Sequence, residues 1–147
     1  MFFEDLPVGK RYETGSRTLT EEEIIGFARL YDPQPFHIDP EAAKSSPYGG
    51  IIASGFHTIV TTFNLTLAAS DLSESSMGSP GMQDVRWIKP VRAGDSLRVK
   101  AEVLEARASA SKPDRGFVTV QHNIYNQADE LVSAYRSTLM LKRRTPG

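Results

Sequence analysis

Apolar and polar positions follow two different periods along the chain, and the change of period separates helical segments from a strand-rich remainder. Ile24, Ile25, Ala28 and Tyr31 recur at helical spacing behind Thr20 and Glu23, a capping-box pair. They predict a helix of about three turns that stops at Pro33, whose ring keeps the preceding residue out of the α region. Asp39 before Pro40, with Glu41 and Ala42 next, is an N-cap followed by proline at the first helical position; a short second helix to Lys44 is expected. Between residues 50 and 70, Ile52, Phe56, Ile59, Phe63 and Leu67 fall at steps of four, three, four and four, an apolar stripe along one long helix. The opposite face carries Thr58, Thr61, Thr62 and Asn64. It is too polar for full exclusion from water and too uncharged for an exposed face, so enclosure by a sheet or a partner chain is predicted.

Residues 70–80, rich in Ser and Gly, read as a loop, and after them the period becomes two. Residues 83–88 form a candidate strand, and Leu97, Val99, Ala101 and Val103 then alternate with Arg98, Lys100 and Glu102. Residues 117–125 and 131–141 are two more strands, joined by Asn126-Gln127-Ala128-Asp129, a tight turn by composition. Strands that follow one another with no helix between them pair antiparallel. The expected class is α+β, an antiparallel sheet packed around one long helix.

A length of 147 residues suits one core and a single domain over 1–147. The net charge of −1 leaves no electrostatic footprint for nucleic acid, and the basic cluster Lys142-Arg143-Arg144 reads as a solvated terminus. The absence of cysteine excludes disulfides, thiolate metal sites and a cysteine nucleophile, and fits a reducing compartment. The N-terminus has no basic region followed by an apolar core, and the apolar stretch 51–69 is broken by Ser, Thr, His and Asn. No signal peptide and no membrane span are expected, and a cytoplasmic protein is the simplest reading.

Candidate chemistry lies in Tyr31-Asp32-Pro33-Gln34-Pro35-Phe36-His37-Ile38-Asp39. Asp32 and His37 are an acid and an imidazole on a segment stiffened by two prolines, a loop able to hold an acid/base pair in fixed relation. By itself the pair reads first as a turn aspartate and a loop histidine, and only second as a catalytic pair. Asp39 reads as an N-cap, and His122, in a strand, as structural. Arg86, Lys89 and Arg92 are either a solvated strand face or cations for phosphate groups.

The same segment, followed by Gly49-Gly50-Ile51-Ile52-Ala53-Ser54-Gly55 and later by Trp87-Ile88-Lys89-Pro90-Val91-Arg92-Ala93-Gly94-Asp95, resembles the MaoC-like dehydratase family, also called the R-specific enoyl-CoA hydratase or hydratase 2 family. Its pattern runs Asp-x-Asn-Pro-x-His-x-Asp, then a glycine at the start of a long helix, then Pro-Val-x-x-Gly-Asp. The resemblance implies a hotdog fold, dimerisation through joined sheets, and reversible hydration of a 2-enoyl-CoA thioester. It assigns the catalytic pair to Asp32 and His37 and the oxyanion donor to Gly55. Gln34, Ser54, His57 and Trp87 are the candidate substrate contacts. It implies no metal and no separate cofactor, coenzyme A being part of the substrate, and a homodimer or higher homo-oligomer. Tyr31 and Gln34 stand where hydratases often have glycine and asparagine, and Phe63 stands where some carry serine. A hotdog thioesterase and a non-catalytic acyl-CoA-binding subunit are the alternatives.

Overall fold

The computed structural model describes residues 1–144. The sequence signals translate directly at the first helix, α1 (Glu21–Tyr31). Thr20 Oγ1 accepts from the Glu23 N–H at 3.1 Å, and Glu23 Oε1 accepts from the Thr20 N–H at 3.5 Å, closing the capping box. The segment around His37, expected as a loop, instead forms one helical turn, α2 (Pro35–Ile38). Pro35 holds the first helical position, where its fixed φ suits a helix and its missing N–H costs nothing. Asp39 caps α3 (Pro40–Lys44) through its Oδ1, which accepts from Glu41 N–H at 3.0 Å and Ala42 N–H at 3.3 Å.

The long helix α4 (Gly55–Ser70) starts later than its apolar period indicates. Ile52 fits the stripe by number but precedes the Ser54 N-cap, in an extended segment bridged to Arg92. The face that packs inward is the polar one: Thr58, Thr61, Thr62, Thr66 and Ser70 are buried, whereas Phe56, Val60, Phe63 and Leu67 are exposed. Enclosure of the threonine face by the sheet is therefore borne out for Thr58, Thr61 and Thr62, but Asn64 is exposed. The hydroxyls turn back on the helix itself. Thr62 Oγ1 donates to the Thr58 carbonyl at 2.7 Å, and Ser70 Oγ donates to the Thr66 carbonyl at 2.6 Å. Thr62 and Ser70 are thereby buried with their hydroxyl protons satisfied.

The sheet has strands β1 (Arg11–Glu13), β2 (Arg17–Thr18), β3 (Gly81–Trp87), β4 (Ser96–Ala108), β5 (Arg115–Tyr125) and β6 (Leu131–Lys142). Their order is β1-β4-β5-β6-β3, with β2 also on β4, and every pairing is antiparallel. The short strands β1 and β2 carry too few residues to show a period. β5 alternates strictly between half-buried and buried residues, as its sequence pattern requires. Two apolar clusters flank α4: one around Leu19, Ile24, Val91, Leu97, Ile124 and Val132, the other around Leu6, Val103, Val118, Val120 and Leu141. A sheet curved around one long helix is the hotdog arrangement.

The basic cluster is not simply solvated. Lys142 ends β6, and Arg143 and Arg144 pair with Glu4 and Asp5 of a 3-10 turn (Phe3–Asp5). Opposite charges at the two ends of the chain meet there. Among the described residues, no helix is long and apolar enough to cross a membrane.

Candidate active site

Asp32 is the C-cap of α1, its N–H donating to the Ala28 carbonyl at 2.8 Å. The two prolines then turn the chain so that Gln34, in extended conformation, faces back on it. Gln34 Nε2 donates to Asp32 Oδ1 at 2.7 Å, and the Gln34 carbonyl accepts from the His37 N–H at 2.9 Å. The extra methylene of glutamine, compared with asparagine, still reaches the carboxylate.

His37 is almost fully buried and is held from both sides. Phe36 packs edge-on against its ring at 4.5 Å, and its Nδ1 lies 2.6 Å from the Ile52 carbonyl oxygen. A carbonyl can only accept, so Nδ1 carries a proton and Nε2 is the nitrogen free to exchange one. Nε2 lies 3.3 Å from Asp32 Oδ2. Burial pushes the Asp32 carboxyl up, but hydrogen bonds from Gln34 and Ser54 and the charge of His37 outweigh it and hold it below the usual carboxylate range. The pair thus presents an ionised carboxylate and a nitrogen that takes or gives a proton, side by side.

Both face a cavity of about 400 Å³. Asp32, Gln34, His37 and Tyr48 make its polar end, while Ile52, Phe56, Trp87, Ile88, Val91 and Val132 make it apolar elsewhere. Gly55, the first residue of α4, also lines it. Its N–H finds no acceptor among the described residues. At a helix start, such a group points out of the helix with the positive end of the macrodipole behind it. Gly55 is also where the Trp87 indole lies: a Cβ there would sit 2.2 Å from Trp87 Cε2. Only a residue without a Cβ permits that approach. Trp87 is half exposed and stacks edge-on against Phe56 at 5.7 Å between ring centres, so it walls the cavity instead of filling the core.

Asp32, Gln34, His37, Gly55 and Trp87 are therefore brought together at one cavity. Ser54 and His57 are not among its lining residues. Ser54 is fully buried, its Oγ accepting from the Phe56 N–H at 3.3 Å, so it faces the helix end. His57 points the other way along α4, stacked on Phe27 of α1 with ring centres 4.5 Å apart. A step of one residue in a helix turns a side chain by about 100°, which separates His57 from the cavity-facing Phe56 and Thr58. Of the candidate phosphate-binding cations, Lys89 lines the cavity but is paired with Glu130. Tyr48, Thr58 and Val132 also line it. Their contribution depends on tertiary packing, and no local motif marks them.

A profile described as MaoC like domain matches residues 4–125. A solved structure of a MaoC-like dehydratase from Rhodospirillum rubrum is 38% identical and superposes with a TM-score of 0.91, covering 99% of each chain. The unliganded R-hydratase PhaJ1 from Pseudomonas aeruginosa is 25% identical with a TM-score of 0.75, over 95% of this chain and 84% of that one. The 3-hydroxybutyryl-CoA dehydratase of Methylorubrum extorquens is 31% identical over 110 residues, 71% of this chain and 65% of the relative. With a matched profile over most of its length and a hotdog fold, the chain belongs to the MaoC-like dehydratase family.

Proposed function

We propose that this protein is an R-hydratase-like enzyme that adds water reversibly across the α,β double bond of a 2-enoyl-CoA thioester. The observation that carries this reading is the convergence of Asp32, His37 Nε2 and the unpaired Gly55 N–H on one largely apolar cavity. Asp32 Oδ2 and His37 Nε2 hold one water between them. As its oxygen bonds to C3, one water proton passes to the Asp32/His37 pair, and the π electrons move through C2 to the thioester oxygen. The Gly55 N–H, at the start of α4, stabilises the resulting enolate oxygen. The Asp32/His37 pair returns that proton to C2, which completes the addition, and the reverse sequence is dehydration. The Trp87 and Phe56 rings exclude bulk water from the acyl group. Coenzyme A enters as part of the substrate, and no step calls for a metal or a separate cofactor. The cysteine-free composition suits a cytoplasmic setting. The exposed apolar stripe of α4 supports a homodimer as the working form.

Hydration of crotonyl-CoA, followed by loss of the enoyl absorbance with free thiol measured in parallel, tests the reading. The expected result is loss of the enoyl signal without thiol release, with kcat lowered by at least about a hundredfold in Asp32→Asn. Thiol release makes the protein a thioesterase, and near-normal turnover by the variant defeats the mechanism.

A further inference from the structure

Trp87 reaches the cavity by way of an irregularity in β3. From Gln83 to Arg86 this strand advances three residues while its partner β6 moves two, from Arg136 to Ala134. Asp84, inside that bulge, has a φ of 51°. An extra residue in one strand exchanges its two faces from there on. Residues 83, 85 and 87 would share one face of a regular strand. Here Gln83 lines a depression on the outside of the sheet with Phe117 and Thr119, whereas Val85 packs on the core and Trp87 lines the cavity. Without the bulge the indole would point away from Gly55.

The ring brings a hydrogen-bond donor with it. Trp87 Nε1 lies 2.3 Å, and Cε2 2.2 Å, from the point where a Gly55 Cβ would stand, so the nitrogen side of the indole covers the glycine. In standard backbone geometry that point is about 2.5 Å from the residue's own nitrogen, which puts Gly55 N and Trp87 Nε1 no more than about 5 Å apart. Two donors that each approach one oxygen to about 2.9 Å can stand up to about 6 Å apart, so a single oxygen is within reach of both. An indole nitrogen only donates. Its proton meets no acceptor among the described residues, and the hydroxyl of Ser133, opposite Trp87 on β6, donates to the Arg86 carbonyl at 2.7 Å. The enolate oxygen formed during hydration carries charge in a largely apolar cavity, where one amide leaves part of its acceptor capacity unfilled. Resting on the proposed hydration reaction, we infer that Trp87 is a catalytic residue: its Nε1–H donates to the thioester oxygen beside the Gly55 N–H and completes a two-donor oxyanion site.

Trp87 is the only tryptophan of the chain, so its indole N–H gives a single nitrogen-15 NMR cross-peak. Butyryl-CoA, a saturated thioester that cannot be hydrated, is expected to move the indole proton downfield, and coenzyme A alone, which lacks the thioester oxygen, to leave it in place. An unmoved indole proton with butyryl-CoA bound overturns the inference. Kinetics on crotonyl-CoA supply the second measurement, with Trp87→Phe and with a chain carrying benzothienylalanine at position 87, in which sulfur replaces the N–H in a ring of nearly the same shape. In both, kcat is expected to fall about ten- to hundredfold with KM little changed. A loss in Trp87→Phe that the benzothienyl chain does not share makes the ring a packing group and overturns the inference. If wild type binds butyryl-CoA yet hydrates no enoyl thioester, the hydratase reading falls, while the indole shift still decides whether Trp87 donates to a thioester. Failure of butyryl-CoA to bind overturns both.

Discussion

At the scale of single residues, the position with least freedom is Gly55. Two demands meet there: an amide open to the cavity, and an indole ring lying where a side chain would begin. In Gly55→Ala the new methyl would lie 2.2 Å from Trp87 Cε2 and 2.3 Å from Nε1, so one of the two must give way. The ring is 51% exposed and can swing outward, whereas the helix start is fixed by its cap. The gain of alanine over glycine in a helix, about 1 kcal/mol at most, offsets part of the lost packing. Stability should therefore change little while the cavity wall moves. Trp87 is the one tryptophan in the sequence, which makes intrinsic fluorescence a direct reporter. The expected outcome for Gly55→Ala is a red-shifted emission, from a more hydrated indole, at nearly unchanged melting temperature. Unshifted emission would mean that the helix start moves instead of the ring.

At the scale of elements, the unusual interface is that between the polar face of α4 and the sheet. It contains His122 on β5, with Nε2 2.9 Å from Ser137 Oγ and its ring stacked on Tyr135 at 4.6 Å. Neither His122 Nδ1 nor the Tyr135 hydroxyl has a hydrogen-bond partner among the described residues. Burial pushes His122 down from 6.5 to about 4. The unfolded chain thus takes up a proton that the folded chain refuses, and stability falls as pH drops from about 6.5 to about 4, then levels off for this group. The effect is of the order of 3 kcal/mol, and burial of His57 adds to it in the same direction. Urea midpoints at pH 7 and pH 4.5 should differ clearly in wild type and much less in His122→Gln. Equal differences in the two proteins would assign the acid sensitivity to other groups. This interface also marks where sequence pattern stops informing. The capping box of α1, the Asp39 cap and the alternation in β4 and β5 are local signals, and each appears in the fold where its residues put it. Asp32, Gln34, His37 and Gly55 were legible as a site because short segments carry them. The direction in which α4 faces was not, because intrahelical bonds from Thr62 and Ser70 make a polar face fit for burial. Ser54 and His57 lie outside the cavity lining for a related reason: adjacency to Gly55 in sequence says nothing about which way a side chain points.

At the scale of the whole molecule, the inward turn of the threonine face leaves the apolar stripe of α4 outside. Phe56 is 61% exposed, Val60 50%, Phe63 48% and Leu67 40%. The stripe does not stand alone, since Phe56 packs on Trp87 at the end of β3, with Ile88 exposed next to it and Met82 exposed near the start of the strand. β3 pairs only with β6 among the described strands, so its far edge carries free backbone donors and acceptors. An apolar helix face joined to an open strand edge meets the requirements of a two-fold contact, in which the same patch serves both copies. Wild type is therefore expected to sediment as a dimer at micromolar concentration. A glutamate at Val60 and another at Phe63 test that surface without touching Asp32, His37 or Gly55. On an isolated chain both substitutions replace exposed side chains and should cost about 0.5 kcal/mol or less each. Across a symmetric interface the same charges appear twice and face a desolvated apolar partner, a penalty of several kcal/mol. The double variant should therefore sediment as a monomer with an unchanged far-UV circular dichroism spectrum. A monomeric wild type, or a double variant that remains dimeric, would place the contact elsewhere and leave the stripe without its proposed occupant.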